Sequence, residues 1–296
     1  MPNIMDRLRL FSFAGLLLVV GWAYFPTLQF MVDKWVSDPQ YSHGFLVPAF
    51  SAWLLWRTGT TGLLGGRPWV IVGGIVLLLS VAMRWIAGKM LFHQLDALAM
   101  LLTLVGLCFA AGGWKLTRGA APAVAFLVFM IPLPYELERN VGGPLKIAAT
   151  EASTFLLQTL GYPAIAEGHV ILIDDVRLGV VDACSGLKML VTFAAFAGGA
   201  VLLLDRTKFE KLMILLGVVP IAVIVNVLRV TATGIAYTLT TDKDTQTFLH
   251  DVHGWLMMPA GLGLLALQLW VLSRLLVKSD EADVIPLQPA TPLRFA

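Results

Sequence analysis

The chain has 296 residues, of which 58% are hydrophobic and 14% are charged, and its formal net charge is +2. Too few charged residues are present to cover a water-soluble domain of this length, so the composition predicts an integral membrane protein. The small net charge gives no basis for nucleic-acid binding, and two cysteines, Cys108 and Cys184, give no disulfide framework.

Apolar runs long enough to cross about 30 Å of hydrocarbon define the predicted membrane spans. Arg7 and Arg9 precede the first run as in a signal peptide, but no small-residue cleavage site follows. We therefore predict that the first run is retained as a span. The second and fifth runs are the shortest. The predicted spans cover residues 10–30, 44–56, 69–86, 91–112, 119–133, 187–204, 212–239 and 254–277.

The distribution of Lys and Arg between the spans predicts the orientation of the chain. Positive residues recur in alternate connections and are densest at 205–211. These connections and both termini are therefore predicted to be cytoplasmic. The opposite side also carries positive residues in or beside its connections, namely Lys34, Arg84 and Lys89.

The longest connection, residues 134–186, is predicted to lie on the outer side. Two prolines within residues 131–134 would end the fifth span. From Pro144 to Leu160, apolar and polar residues alternate at helical spacing, which predicts an amphipathic helix along the interface. Two β-branched runs then flank Asp174-Asp175, the predicted turn of a β-hairpin that leads to Cys184.

These features predict an all-α polytopic membrane protein of about eight transmembrane helices, with a short amphipathic helix and a β-hairpin on its outer face. Residues 1–278 are predicted to form a single transmembrane domain that includes the insertion 134–186. The polar, proline-containing segment 279–296 is predicted to be a flexible tail.

Cys184 is the first candidate for chemistry because it precedes the sixth predicted span. A helix N-terminus lowers the pKa of a thiol through its dipole and its unpaired N–H groups, and Lys188 would add a favourable positive charge. Asp182 would oppose ionisation of the thiol or orient a basic partner. Alternatively, Cys184 packs as a small apolar residue, which is how we interpret Cys108 within its apolar span.

Arg229 interrupts the apolar seventh span. Roughly seventeen residues beyond Leu212, it would lie about 25 Å across the membrane, close to the outer interface. Asn226 and Thr233 share its helical face, which favours an inward, functional side chain. A buried charge costs at least ~2.5 kcal/mol at mid-membrane and less near the edge. Alternatively, Arg229 extends outward to lipid headgroups.

His250 and His253 precede the predicted last span, also at the outer boundary. A histidine there can act as a general base near neutral pH. Alternatively, both are ordinary interfacial residues beside Trp255. Metal binding by the two histidines is disfavoured because no second cysteine or carboxylate ligand stands at a matching spacing. We predict neither a metal nor another cofactor.

The predicted topology places Cys184, Arg229, His250 and His43 near one membrane level. A thiol, a base and a fixed cation are the groups needed for acyl transfer through a thioester. Cys184 would attack a carbonyl, His250 would shuttle the proton, and Arg229 would stabilise the oxyanion. Asn226 would hold or assist Arg229.

Four stretches of the chain, in order, resemble signatures of the exosortase/archaeosortase family, and the likeness covers about residues 10–277. In the family pattern the essential histidine stands four residues before the glycine, which selects His250 over His253. The stretches are Tyr41-Ser-His-Gly-Phe-Leu-Val-Pro48, Val181-Asp-Ala-Cys-Ser-Gly-Leu187, Asn226-Val-Leu-Arg229 and His250-Asp-Val-His-Gly-Trp255. The predicted catalytic residues are Cys184, Arg229 and His250, with Asn226, Ser185, Asp182, His43 and His253 in supporting roles.

The resemblance implies a membrane-embedded cysteine protease or transpeptidase. It would cleave exported proteins at a C-terminal tail that consists of a PEP-CTERM-like motif, a transmembrane helix and a basic end. This family's activity is linked to exopolysaccharide and envelope biogenesis. The implied location is the cell inner membrane, with the active site at the periplasmic face. Tailed proteins and membrane lipids are the implied partners, and nucleic acid is not.

Two other classes of protein stay open at this point. A transporter or channel would also place an arginine such as Arg229 in a helix and line a cavity with polar side chains. Replacing Cys184 by serine would leave a transporter largely active. In an envelope-assembly scaffold, Arg229→Ala would mainly reduce stability or assembly.

Overall fold

The computed structural model describes residues 15–16, 18–58, 67–180, 186–240 and 242–275. Residues 18–23 are helical and lead into a helix that begins at Phe25. The helices are α1 (Phe25–Ser37), α2 (Leu46–Thr58), α3 (Arg67–Met90), α4 (His93–Phe126), α5 (Tyr135–Thr159), α6 (Leu187–Leu203), α7 (Lys208–Leu239) and α8 (Lys243–Leu275). The remaining elements are two 3-10 helices (Pro39–Phe45 and Leu127–Met130) and the strands β1 (Ala164–Glu167), β2 (Val170–Ile173) and β3 (Val176–Gly179).

The N-terminal helices share one apolar core with the two 3-10 helices. Met31 and Trp35 of α1 are buried against Met100 of α4 and Met130 of the second 3-10 helix. The indole N–H of Trp35 also donates to the Met130 carbonyl at 2.9 Å. This bond satisfies the polar end of a buried tryptophan and fixes α1 against the 3-10 helix.

Arg84 of α3 contacts both α4 and the chain immediately before α1. Its guanidinium carbon lies 4.1 Å from the centre of the Tyr24 ring, and the group donates to the Ala23 carbonyl at 2.5 Å. Its Nε lies 3.8 Å from a carboxylate oxygen of Asp96. An ion partner, an aromatic face and a carbonyl together offset the cost of placing this charge among apolar helices.

The helix α4 consists of two segments that meet at Gly113, whose φ of 65° and ψ of −159° lie outside the helical region. An unbroken helix from Gln94 to Leu133 would be about 58 Å long. Instead, the side-chain amide of Gln94 donates to the Leu133 carbonyl at 3.4 Å. The chain therefore reverses near Gly113, and the two segments correspond to the predicted spans 91–112 and 119–133.

The C-terminal helices α6, α7 and α8 form a second core. Phe193 of α6, Val218 and Val225 of α7 and Leu265 of α8 are buried in it. The start of α7 is fixed by a capping box, in which the side chain of Thr207 accepts from the Glu210 N–H. The Glu210 carboxylate in turn accepts from the Thr207 N–H at 2.8 Å.

The helix α5 begins at Tyr135, earlier than the predicted start at Pro144, which lies inside the helix. Pro134 precedes the first helical residue, and the acidic residues Glu136 and Glu138 stand in the first turn. Both features favour a helix start there, because proline suits helix N-termini and carboxylates complement the helix dipole. The apolar pattern detected only the later part of this helix.

The predicted hairpin is confirmed, and the sheet has a further strand. The order is β1-β2-β3, with each neighbouring pair antiparallel, and the turn between β2 and β3 contains Asp174 with a φ of 51°. The strand β1 was not predicted. Its burial pattern explains why, since only Ala164 of its four residues is buried, so no apolar alternation marks it in the sequence.

The sheet packs on α5 and α7. Leu157 of α5, Ile171, Ile173 and Leu178 of the sheet and Val230 of α7 are buried in one cluster. This third core fixes the chain that leads towards residues 181–185 onto the same helix that carries Arg229.

By length and composition, the described chain has four helical stretches able to cross a membrane. Leu78 is 71% exposed and Leu228 is 51% exposed, which is favourable in lipid and costly in water. The chain is therefore a mostly helical integral membrane protein. The total of eight spans and the orientation remain predictions, and the predicted tail 279–296 lies outside the described residues. The four stretches are Pro68–Met90, His93–Met130, Lys208–Leu239 and Asp244–Leu275, and Met189–Leu203 is a shorter apolar helix.

The last helix begins at Lys243 rather than at residue 254, so the predicted start of this element is wrong. Its first turns are polar and therefore escaped the search for apolar runs. Asp242 caps the helix, because its carboxylate accepts from the Thr245 N–H at 2.9 Å. As a consequence, His250 and His253 lie within α8 and not in the connection before it.

Candidate active site

One face of α7 carries polar residues into the protein. Asn226 and Arg229 are each 2% exposed, and Thr233 is 3% exposed. Their spacing of three and four residues places them on a single helical face. The burial of Arg229 rules out the alternative in which its side chain extends to lipid headgroups, and it confirms the inward polar face.

Gly186 brings the start of α6 against this face. Its φ of 74° lies in the left-handed region that favours glycine. A Cβ at this position would lie 3.3 Å from the side-chain amide nitrogen of Asn226. The close approach of the backbone before α6 to Asn226 therefore depends on the absence of a side chain at residue 186.

The helix α8 packs beside the same polar face. The Thr233 hydroxyl and Nδ1 of His253 lie 3.3 Å apart, and a Cβ at Gly254 would lie 3.8 Å from Nη2 of Arg229. The guanidinium thus reaches α8 at a point one helical turn after His250. The backbone of His250 belongs to α8, whereas its imidazole lies outside the described part of the structure.

Asp182, Cys184 and Ser185 lie outside the described residues. Both ends of the segment that contains them are fixed. Before it, Val180 is 4% exposed and its N–H donates to the His169 carbonyl at 2.7 Å, which extends the β2–β3 ladder. After it, Gly186 lies against Asn226.

His43 bridges the first 3-10 helix to two other elements and is 4% exposed. Its Nε2 lies 3.2 Å from the Phe129 carbonyl, and its Nδ1 lies 3.1 Å from the Thr192 hydroxyl of α6. A carbonyl only accepts, so Nε2 carries a hydrogen and donates to Phe129, and Nδ1 bonds to the Thr192 hydroxyl. These bonds occupy both ring nitrogens and suit a residue that positions α6 better than one that moves protons.

Tyr41 links the same 3-10 helix to α5. Its hydroxyl donates to the Glu138 carboxylate at 2.7 Å and accepts from the Leu133 N–H at 3.1 Å. Burial and then the hydrogen bond to Glu138 raise the pKa of Tyr41 well above its usual range. The hydroxyl therefore stays protonated and continues to donate at any physiological pH.

An apolar groove between α5, α6 and α7 borders the site. It is lined by Leu145, Ala149, Leu190, Ala222 and Asn226, and Gly186 forms part of the same wall. The contact between Gly186 and Asn226 therefore adjoins open space and not a tightly packed interior.

The arrangement places a buried cation and an amide where three separate stretches of chain meet. A guanidinium held in this way is a strong hydrogen-bond donor to a developing oxyanion. Within the described ranges, no three His, Cys, Asp or Glu side chains are grouped closely enough to hold a metal ion.

Thr192 and Glu138 received no role from the sequence, yet both contact the Tyr41–His43 segment. A weak signal existed for Thr192, which is a polar residue in a largely apolar helix. Glu138 offered only its place in the acidic first turn of α5. Neither signal identifies a partner so far away in the chain.

A family model for transmembrane exosortases (Exosortase_EpsH) matches residues 35–267. The match spans the first 3-10 helix, the sheet, the polar face of α7 and most of α8. No curated protein and no solved structure matches the chain.

Proposed function

The chain belongs to the transmembrane exosortase family, and from that membership we propose that it is a membrane-embedded cysteine protease or transpeptidase. Its substrates are exported proteins with a C-terminal sorting tail, made of a PEP-CTERM-like motif, a transmembrane helix and a basic end. Cleavage proceeds through a thioester on Cys184, at the periplasmic face of the inner membrane.

The observation that carries this proposal is the meeting of three distant stretches of chain at Arg229. Gly186 lies against Asn226, and Gly254 lies beside the Arg229 guanidinium. Cys184 is two residues before Gly186, and two residues span at most about 7 Å. His250 is one turn before Gly254, a rise of about 6 Å. These separations favour a common site for the three proposed catalytic residues.

In the proposed mechanism, His250 takes the proton of the Cys184 thiol, and the sulfur attacks the carbonyl carbon of the scissile amide. Arg229 donates hydrogen bonds to the oxyanion that forms. The C–N bond then breaks, and protonated His250 gives its proton to the leaving amine. The product is a thioester between Cys184 and the new C-terminus of the substrate.

The second half of the reaction releases that thioester. An acceptor attacks the same carbonyl carbon while His250 takes its proton, and the C–S bond breaks. Protonated His250 then gives that proton to the leaving thiolate, which restores the Cys184 thiol and the neutral imidazole. Water as acceptor makes the protein a protease, whereas an amine or a lipid makes it a transferase. In this scheme Asn226 orients the guanidinium, and the buried bonds of His43 hold α6 in place.

The proposal is tested by mass spectrometry of the C-terminus of a tailed exported protein from the same genome, co-expressed with the full chain. We expect a shortened C-terminus with the wild type and with Cys108→Ser, a matched control for loss of a thiol. Cys184→Ser should give no shortened product at an equal level of membrane protein. Processing that continues in Cys184→Ser would contradict the thioester mechanism and favour the transporter or scaffold alternatives.

A further inference from the structure

The strand β3 has one edge whose backbone groups point away from β2. In an antiparallel ladder, hydrogen-bonded pairs alternate with pairs whose N–H and C=O groups point outward. The bond from the Val180 N–H to the His169 carbonyl and the pairing of Ile171 with Leu178 fix this alternation. The N–H and C=O groups of Arg177 and Gly179 therefore point to the outer edge of β3.

The two edges of the sheet differ in their surroundings. At the β1 edge, the Ala164 carbonyl accepts a hydrogen bond from the Gln158 side chain of α5 at 2.8 Å. At the β3 edge, no described residue bonds to the outward backbone groups of Arg177 or Gly179. An edge of this kind is a template for a further strand.

Among the described residues, none requires a glycine at position 179. It is exposed, a Cβ there would meet no described atom within 4 Å, and its φ is not in the left-handed region. Glycine within a strand costs roughly 0.5–1 kcal/mol relative to alanine. Such a residue often marks the close approach of another backbone.

The sheet that contains β3 packs on α7, the helix that carries Arg229. Gly234 of α7 packs on the sheet, since a Cβ there would lie 3.0 Å from Ile173 and 3.5 Å from Leu178. Gly234 is five residues beyond Arg229, a rise of about 7.5 Å along the helix. The chain also continues from Gly179 through Val180 directly into the segment that contains Cys184.

We propose that an extended segment of the protein substrate adds to the β3 edge as a fourth strand, pairing with the backbone of Arg177 and Gly179. This inference rests on the proposed function and names how that site holds its substrate. Pairing through the main chain supplies affinity with little demand on side-chain identity. It would also present the scissile amide in an extended conformation beside the nucleophile.

A second copy of the chain is a less suitable occupant of this edge. Edge-to-edge pairing of two β3 strands would bring two exposed Arg177 side chains together, and like charges across a strand pair are destabilising. A charged residue on a short edge strand opposes this self-association. It does not oppose pairing with a peptide that lacks positive charge.

Gly179→Pro removes the outward N–H of residue 179 and leaves the β2–β3 ladder intact, because that N–H does not point to β2. Ala166→Pro is the matched control, since Ala166 is exposed and its N–H points outward from the opposite edge of the same sheet. We expect Gly179→Pro to lower kcat/KM for tail cleavage at least about tenfold. Ala166→Pro should stay within about twofold of the wild type, with both variants equally abundant. Equal activity of the two variants would overturn the proposal.

A second experiment separates this inference from the proposed chemistry. The full chain carries Cys108→Ser, Cys184→Ser and Gly179→Cys, so that its only cysteine is at position 179. A tailed substrate carries one cysteine at a time along the segment before its membrane helix. A bound strand predicts disulfides that form at every second substrate position, because side chains alternate across a strand. If the disulfides alternate but the wild type does not cleave the substrate, the strand site is retained and the proposed protease function is rejected. Cross-links without alternation, between two copies of the chain only, or absent altogether would reject the strand site.

Discussion

At the scale of single residues, the proposed site depends on a buried arginine. Arg229 is 2% exposed within α7, beside the equally buried Asn226. A buried guanidinium persists only where neighbouring groups offset its desolvation. Its planar fork of donors differs from the point charge of a lysine, so the two residues would not support the same oxyanion geometry.

We therefore predict that Arg229→Lys lowers kcat for tail cleavage by about a hundredfold or more, the loss expected when one oxyanion donor is removed. Arg84→Lys is the matched control, because Arg84 also lies among helices but bonds to Tyr24, Ala23 and Asp96 instead. It should lower the melting temperature and leave kcat per folded molecule nearly unchanged. The measurement is the initial rate of tail cleavage, normalised to folded protein. An Arg229→Lys variant with wild-type kcat would remove Arg229 from the mechanism.

The inward direction of Arg229 could be predicted from the sequence because Asn226 and Thr233 repeat at helical spacing on its face. The role of His43 could not be predicted in the same way. Its partners, Phe129 and Thr192, are far away in the chain, and no periodic pattern reports such a contact. The sequence predicted that His43 lies near the membrane level of Cys184, and it left the bonding of His43 undetermined.

At the scale of elements, the start of α6 determines where the Cys184 segment can go. Gly186 combines a left-handed φ with a close approach to Asn226. A side chain at this position would strain the backbone and also displace the segment from α7. The first effect lowers stability, and the second would lower activity.

Gly186→Ala and Gly168→Ala separate these two effects. Gly168 has a similar φ of 62°, but a Cβ there would meet nothing within 4 Å. Both variants should lose about 1 kcal/mol or more of stability, the cost of a left-handed alanine. We predict that only Gly186→Ala also loses activity per folded molecule, by about tenfold or more. The melting temperature and the cleavage rate are measured for both proteins. Equal losses of activity in the two variants would contradict this account.

Elements with long apolar runs were predicted well, and elements with polar ends were not. The helix α6 begins at Leu187, as the apolar run indicated, and the Asp174-Asp175 pair marked the hairpin turn. The start of α8 was missed because its first turns are polar. The strand β1 was missed because three of its four residues are exposed, so burial did not leave an alternating pattern.

At the scale of the whole molecule, the second helical core and the small sheet both pack on α7, whereas the first helical core adjoins α6. The 3-10 helix with His43 contacts α6 from one side, and α8 contacts α7 from the other. The sheet fixes the chain before Cys184 onto α5 and α7. The fold thus holds the two ends of the 181–185 segment and the Arg229 face in one region, which is the premise of the proposed mechanism.

The most direct test of this account is disulfide trapping between residues 184 and 250. The full chain carrying Cys108→Ser and His250→Cys is oxidised in membranes, and its peptides are mapped by mass spectrometry. The pair Thr233→Cys and His253→Cys, in a chain with Cys108→Ser and Cys184→Ser, is the positive control, because these side chains are in contact. Leu249→Cys is the control for a neighbouring position on another face of α8.

We predict a disulfide between Cys184 and the cysteine introduced at position 250, because the proposed site brings these two residues together. A disulfide requires Cα atoms within about 7 Å of each other, so it reports this proximity directly. The Leu249→Cys chain should form much less of it. No disulfide from position 250, with the positive control fully formed, would show that thiol and imidazole do not share a site. That result would contradict the proposed active site.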